Sequence, residues 1–181
     1  MRRNADLHPD DHAARVALRD HLRDLRHAHG LSQRQYADLL GVTQGAVGSF
    51  EGCPRANMMI ASTQRRARVL NHRLTLTIAG LPGVPPTPET ANAWALSEDP
   101  NPDIADTFYR IAIISHLRTI RLWSETTLQQ LADRMGCRES AVSMAERGQD
   151  NPALSTYQRF ARALGGRLDL SLQPVHEHVQ S

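Results

Sequence analysis

Arginine dominates the chemistry open to this chain. Every one of its 21 basic residues of the Lys+Arg class is Arg, set against 19 acids for a net charge of +2. The placement is uneven. Residues 1–80 hold 12 Arg against 7 acids, a charge of +5; residues 81–102 hold no Arg and 3 acids, −3; residues 103–181 hold 9 of each. A guanidinium excess over the first region suits contact with a polyanion, and the neutral last region suits it much less. The lack of Lys reads as genome composition, not mechanism. The other reactive side chains do not converge. The 9 histidines are scattered, and His27-Ala-His29 and His176-Glu-His178 lack the further ligands of a zinc site. Cys53 and Cys137 form no Cys-x-x-Cys, and their unrelated settings favour a reducing cytoplasm over a disulfide framework. There is no phosphate loop and no nucleophile elbow. No catalytic residue, metal or cofactor is expected, so the chain does not read as an enzyme. No apolar run approaches membrane length and no secretory signal is visible, so a cytoplasmic location is expected.

The framework that places these arginines occurs twice. Residues 21–52 align with 116–147 without a gap at an offset of 95. His21, Leu22, Arg23 and Arg26 recur as His116, Leu117, Arg118 and Arg121. Gln35, Ala37, Asp38 and Gly41 recur as Gln130, Ala132, Asp133 and Gly136, and Ala46, Val47 and Glu51 as Ala141, Val142 and Glu146. After a one-residue slip, Gln64, Ala67, Arg68, Leu70, Arg73, Leu74 and Leu76 recur as Gln158, Ala161, Arg162, Leu164, Arg167, Leu168 and Leu170. The spacing predicts a tandem duplication of a module of roughly 65 residues. The expected units are 1–80, a Pro-rich linker 81–102, a second unit 103–175 and a tail 176–181. At 181 residues the chain has room for two small cores.

Each unit is expected to be mainly helical. Pro9 opens a long helix to about residue 28, with Leu18, Leu22 and Leu25 on one face. Ile113, Leu117 and Ile120 take the same places later, in a helix that Asp103 is placed to cap. Ser32-x-x-Gln35 and Thr127-x-x-Gln130 are capping boxes that start second helices. Those helices end at Gly41 and Gly136, which tolerate the left-handed turn. Short third helices follow over 43–51 and 139–146, and later helices carry 65–70 and 158–164. The period then changes to two. Leu74, Leu76 and Ile78 alternate with polar residues, as do Leu168, Leu170 and Leu172, which predicts one half-buried strand per unit. A lone strand must find a partner for its backbone groups. The two strands are expected to pair antiparallel and make the chain an internal pseudo-dimer; pairing between two chains is the alternative. Gly80-Leu81-Pro82-Gly83-Val84-Pro85-Pro86 is a stiff linker, followed by a short helix from Thr87 through Trp94 and Leu96. Trp94 and Trp123 read as core or linker packing.

The stretch Leu31-Ser32-Gln33-x-x-Tyr36-Ala37-x-x-Leu40-Gly41-Val42-Thr43-Gln44-x-Ala46-Val47-x-x-x-Glu51 resembles the helix-turn-helix of phage Cro and repressor proteins, the XRE family. Leu131-Ala132-x-x-Met135-Gly136-Cys137-x-x-x-Ala141-Val142-x-x-x-Glu146 resembles it too. Phe160-Ala161-Arg162-Ala163-Leu164-Gly165-Gly166-Arg167-Leu168 is similar to the usual ending of that family. The final strands resemble those of the antitoxin of the Hip persistence toxin–antitoxin pair, whose dimer strands of this kind complete. The implied fold is mainly α: two repressor-like helical DNA-binding units, each followed by a short strand, the strands forming a small intramolecular sheet. Small Ala37 and Ala132 let two helices approach closely, Val47 and Val142 plug the third helix into the core, and its other face suits a major groove.

The resemblance makes Thr43, Gln44, Gly45 and Ser49 the base-reading positions, with Gly48 beside them. An amide at Gln44 pairs in two ways with adenine. Ser32 and Gln33 would bind phosphate at a helix N-terminus, Ser32 capping as well, with Arg34 and Arg55 adding contacts. Gly45 and Gly48 each cost up to ~1 kcal/mol against Ala within a helix; either they allow close approach to DNA or the helix orders fully only on binding. In the second unit Thr127, Arg138, Glu139, Ser140, Ser143 and Met144 take the corresponding surface. Arg138 suits guanine, whereas Glu139 repels phosphate unless it accepts from cytosine, and Leu128 stands where the first unit has Gln33. With its neutral charge, this unit is expected to contact DNA, though weakly; no contact at all is the alternative. Arg26 with Glu51, and Arg121 with Glu146, are structural ion pairs by the same resemblance. Arg2 and Arg3 are either a minor-groove arm or a plain terminus.

These features point to a bacterial or phage regulator of transcription that binds double-stranded DNA, most simply a repressor on an asymmetric or imperfectly palindromic operator. The alternative is an antitoxin that binds a protein toxin and autoregulates its operon. The partners expected are therefore double-stranded DNA and either a protein toxin or a second copy of the chain, with no membrane.

Overall fold

The computed structural model describes residues 8–81, 101–148 and 151–175. Expectations for Arg2 and Arg3, for the connector helix with Trp94 and for His176-Glu-His178 fall outside them. The described residues form a mainly helical molecule with one small antiparallel sheet.

The first half runs α1 (Pro9–Ala28), α2 (Gln33–Leu40), α3 (Gln44–Gly52), α4 (Ile60–Val69) and β1 (His72–Ala79). The second half has the same order: α5 (Pro102–Trp123), α6 (Leu128–Met135), α7 (Glu139–Glu146), α8 (Leu154–Ala163) and β2 (Arg167–Pro174). Pro9 sits in the first turn of α1, and Asp10 and Asp11 lie at its positive end while Arg26 and His27 lie at its negative end. The cap of α5 is Asn101, whose side chain accepts from Asp103 N, and not Asp103 itself. Pro102 occupies the first helical position, so the cap falls one residue before it. Leu18 and Leu22 of α1, and Ile113, Leu117 and Ile120 of α5, are buried as helical spacing requires.

β1 pairs with β2 antiparallel, and Leu76 stands opposite Leu170, the residue with which it aligns in the sequence. That register is what a two-fold relation between the halves demands. Leu74, Leu76, Ile78, Leu168 and Leu172 turn inward from the sheet. Tyr109 of α5 seals the outer edge of β1: its hydroxyl accepts from Leu76 N at 2.5 Å. The apolar interiors merge into one buried cluster that draws on both halves, where the sequence left room for two. A shared two-stranded sheet cannot be buried by either half alone, so the cores close around it together.

A second crossing repeats the symmetry. Ile60 N donates to Pro152 O at 3.0 Å and Leu154 N to Met58 O at 2.8 Å, around an antiparallel bridge between Met59 and Ala153. Side chains lock the same seam twice. Arg15 donates to Gln158 Oε1, Gln158 Nε2 donates to Asp11 O, and Arg162 binds the Asp11 carboxylate at 2.9 Å. On the other side Arg110 donates to Gln64 Oε1 at 3.0 Å, Gln64 Nε2 donates to Asp106 O at 3.2 Å, and Arg68 binds the Asp106 carboxylate.

Candidate nucleic-acid interface

In each half the second and third helices form a compact crossing. Ala37 and Ala132 lie buried on the second helices, Val47 and Val142 on the third. A larger side chain at either alanine would push the helices apart. Gly41 and Gly136 close the second helices at φ +65° and +61°, where a Cβ is disfavoured. The chain then turns directly into the third helix, so the start of that helix faces outward.

The N-terminus of α2 is tied by a full capping box. Ser32 Oγ accepts from Gln35 N at 3.2 Å, and Gln35 Oε1 accepts from Ser32 N at 2.9 Å. Thr127 and Gln130 repeat this at α6, at 3.1 and 2.9 Å. Ser32 and Thr127 thus cap, and remain exposed. The two amides between each cap and the bonded glutamine amide have no intrahelical acceptors, the arrangement that receives an anion.

At α3, Thr43 Oγ1 caps the helix by accepting from Ala46 N at 3.2 Å. Gln44, Gly45 and Ser49 are exposed and Gly48 is half-buried, while Val47 and Glu51 anchor the opposite side. Arg34 and Arg55 are exposed on the flanking elements. Gln33 behaves differently from its neighbours: its amide turns back and donates to Glu51 Oε2 at 2.8 Å. Neither helix glycine is required by packing within the chain. A Cβ at Gly45 would lie 3.9 Å from Thr43 Oγ1, and one at Gly48 3.6 Å from Gln33 Oε1, ordinary contacts both.

The α7 surface is more charged and carries one exposed apolar side chain. Arg138 occupies the cap position of α7 without capping it, so its exposed guanidinium is not spent on the helix. Glu139 and Ser140 are exposed, Ser143 is half-buried, and Met144 is 54% exposed. Leu128 packs against the core. Trp123 is 62% exposed and Leu122 56% exposed, which corrects the expectation of a packed Trp123. Ile113, Leu117 and Ile120 define the buried face of α5, and the last two residues of the helix fall outside it.

Each crossing rests on a buried ion pair with the same geometry. Arg26 Nε meets Glu51 Oε1 at 2.7 Å and Nη2 meets Oε2 at 2.9 Å, while Nη1 donates to Leu31 O at 2.6 Å. Arg121 binds Glu146 at 2.6 and 2.9 Å and Thr126 O at 2.9 Å. Burial works against the Glu51 carboxylate, yet the hydrogen bonds from Arg26 and Gln33 outweigh it and hold the carboxyl below its ordinary range. The bond to Glu146 holds Arg121 still more firmly protonated. These forks tie the first helix, the loop after it and the third helix into one rigid unit.

The inter-half lock was not read from the sequence, although a signal was there. The offset of 95 extends upstream to Asp11 and Asp106, and to Arg15 and Arg110. Among the described residues no three His, Cys, Asp or Glu side chains are grouped to hold a metal ion. No helix among them is long and apolar enough to cross a membrane.

A family described as "Helix-turn-helix" matches residues 117–170, which hold α6, α7 and α8. The chain is also similar to "Antitoxin HigA1" of Mycobacterium tuberculosis, in strains CDC 1551 / Oshkosh and ATCC 25618 / H37Rv, at 39% identity over 61 residues in each case. That match covers 34% of this chain and 41% of each relative, so the chain spans about two fifths of the length of the curated relatives it matches. No solved structure matches.

Proposed function

From the helix-turn-helix match over residues 117–170 and the outward faces of α3 and α7, we infer that this chain is a sequence-specific regulator of transcription that binds double-stranded DNA. The reading rests above all on one observation. The start of α3 presents Thr43, Gln44, Gly45 and Ser49 outward while Val47 and Glu51 fix the helix from behind. A helix held by its back and polar at its entry suits the major groove. The amides at the start of α2, with Arg34 and Arg55, would take flanking phosphates; Thr127 would do so in the second half. Regulation would be steric repression, the bound chain blocking polymerase at a promoter.

In this reading the halves are tandem copies, 1–80 and 103–175, joined by 81–102 and followed by a tail 176–181. The copies carry different reading residues. Gln44 would pair with adenine and Arg138 with guanine, with Glu139, Ser140, Ser143 and Met144 around it. The operator is then asymmetric, with half-sites about one helical turn apart. Selection of bound duplexes from a random pool tests this. Gln44→Ala changes the bases selected in one half-site and Arg138→Ala those in the other. An unchanged selection with both variants removes Gln44 and Arg138 as reading residues.

The similarity to proteins named antitoxins supports a second task, binding a protein toxin. The exposed apolar residues Leu122, Trp123 and Met144 of the second half suit a protein partner better than phosphate. Co-expression with the product of an adjacent gene decides it: an antitoxin restores growth and co-purifies, and a Trp123→Glu variant does neither.

A further inference from the structure

A cleft of about 330 Å³ opens between the two halves, beside the turn that leads into α3. Leu40 and Val42 border it from that turn, Arg65 and Arg66 from α4, and Asp106 and Arg110 from α5. The acidic wall is already engaged. Arg68 holds Asp106 and reaches Asp103 at 3.2 Å. Arg110 is shared between Gln64 Oε1 and Thr107 Oγ1, at 3.0 and 2.9 Å.

The basic wall is not engaged in this way. Arg65 is exposed, with Nη2 lying against the left-handed turn at Gly41. Arg66 lies 4.2 Å over the ring of Phe50, and its Nη1 donates to Ser62 O at 3.1 Å. Its Nε is buried with no acceptor. Neither arginine forms a salt bridge among the described residues. Burial makes the charge on Arg66 harder to hold, and the neighbouring Arg65 adds to the difficulty, while Tyr36 and Glu51 partly offset both.

The second half is built differently at the corresponding place. Phe160 stands where the first half has Arg66, and is fully buried. Arg159 stands where the first half has Arg65, and donates to the Met135 carbonyl. Ala145 replaces Phe50. The same fold therefore accepts an apolar side chain at this position. A guanidinium there leaves its buried Nε unpaired, and among the described residues neither it nor Arg65 forms a salt bridge, the Phe50 ring and the Ser62 carbonyl being its near contacts.

We propose that the cleft binds a small organic anion, a carboxylate or phosphate monoester with a short apolar body. Its charged group lies between Arg65 and Arg66, and its apolar part lies on Leu40 and Val42. The volume is at the low end for ligand pockets, about 300–1,000 Å³, which fits a metabolite and not a peptide. Val42 immediately precedes Thr43, the cap of α3, while Arg110 belongs to α5. An occupant therefore touches the entry of the first reading helix and the first helix of the other half together. If the chain binds DNA as proposed above, ligand and duplex affect each other's affinity by the same factor.

Amide NMR titration of the full chain tests the site itself, with no DNA present. The probes are sodium benzoate, phenyl phosphate and inorganic phosphate at constant ionic strength. The expected result is a saturable shift at the Val42, Ala61 and Thr107 amides with benzoate or phenyl phosphate, half-complete at about 1 mM or below. The tighter of the two identifies the class of head group. Arg65→Ala removes an exposed side chain and weakens binding about tenfold; Arg66→Leu abolishes it. If Arg66→Leu does not fold, Arg65→Ala alone decides. The proposal is overturned by shifts that do not saturate, by a midpoint that Arg65→Ala leaves unchanged, or by a response to inorganic phosphate alone, which is an adventitious ion only.

Discussion

The two helix-turn-helix crossings share a backbone plan and differ in what surrounds it. In the first, Glu51 accepts from Arg26 and also from Gln33. In the second, Glu146 has the Arg121 fork, with Arg118 standing off at 3.9 Å, and Leu128 occupies the place of Gln33 and packs on the core. The first outward face is small and polar, built from Thr43, Gln44, Gly45 and Ser49. The second carries Arg138 and Glu139 beside an exposed Met144, with Trp123 exposed at the end of α5. The family match falls on the second half, while the excess positive charge falls on the first. A match to a fold pattern reports the buried alanine, glycine and valine positions that let helices cross. It reports less about the exposed positions that decide what the helices touch.

The largest test removes the glutamates. Glu51→Ala and Glu146→Ala each strand a buried guanidinium and are expected to lower stability by about 3–5 kcal/mol in urea unfolding. The Glu51 variant should lose more, because Gln33 loses its acceptor too; an equal or larger loss at Glu146 would break the contrast. Next is base reading. In binding titrations against a selected duplex, Gln44→Ala is expected to cost about 1–3 kcal/mol of discrimination at its own base pair, and Arg138→Ala less. The reverse order would make the second half the principal reader.

Smaller effects sharpen the contrast. Gly45→Ala and Gly48→Ala each find room within the chain, so each should raise stability by up to ~1 kcal/mol. If the glycines serve close approach to DNA, affinity falls while stability rises; if they only delay ordering of the helix, affinity rises too. The smallest effect concerns acid. The Glu51 carboxyl is held below its ordinary value of 4.5, so its contribution is complete above that value and is lost as pH falls through the lower folded one. Gln33→Leu, which copies Leu128, removes one hydrogen bond and adds apolar packing. The expected net change is about 0.5 kcal/mol, with acid unfolding beginning at a higher pH, measured by circular dichroism between neutral and strongly acidic buffers.

Much of the local plan was legible in the residues. Ser32 with Gln35, and Thr127 with Gln130, announce helix starts because the bonds they make span three residues. Gly41 and Gly136 announce the ends for an equally local reason. The alternation around Leu76 and Leu170 implied strands, and the unpaired backbone of a lone strand implied that they meet. The cap of α5 was misplaced by two residues, because Pro102 moves the cap ahead of itself. Trp123 was misread because its size argues for burial, whereas its place on α5 decides otherwise. The contact from Gln33 to Glu51 joins residues 18 positions apart on consecutive helices, and no local pattern encodes it.

Period, caps and turn glycines act within a few residues, so the chain by itself determined its helices, its strands and the likeness of its halves. Tertiary structure decided what lies far apart in sequence. It set Leu76 on Leu170, bound Arg162 to Asp11 across 151 residues, merged the two interiors into one core, and left Arg66 beside a cleft while Phe160, at the matching position, is buried. These outcomes depend on which surfaces remain after each half has buried what it can, and that remainder exists only once both halves have met.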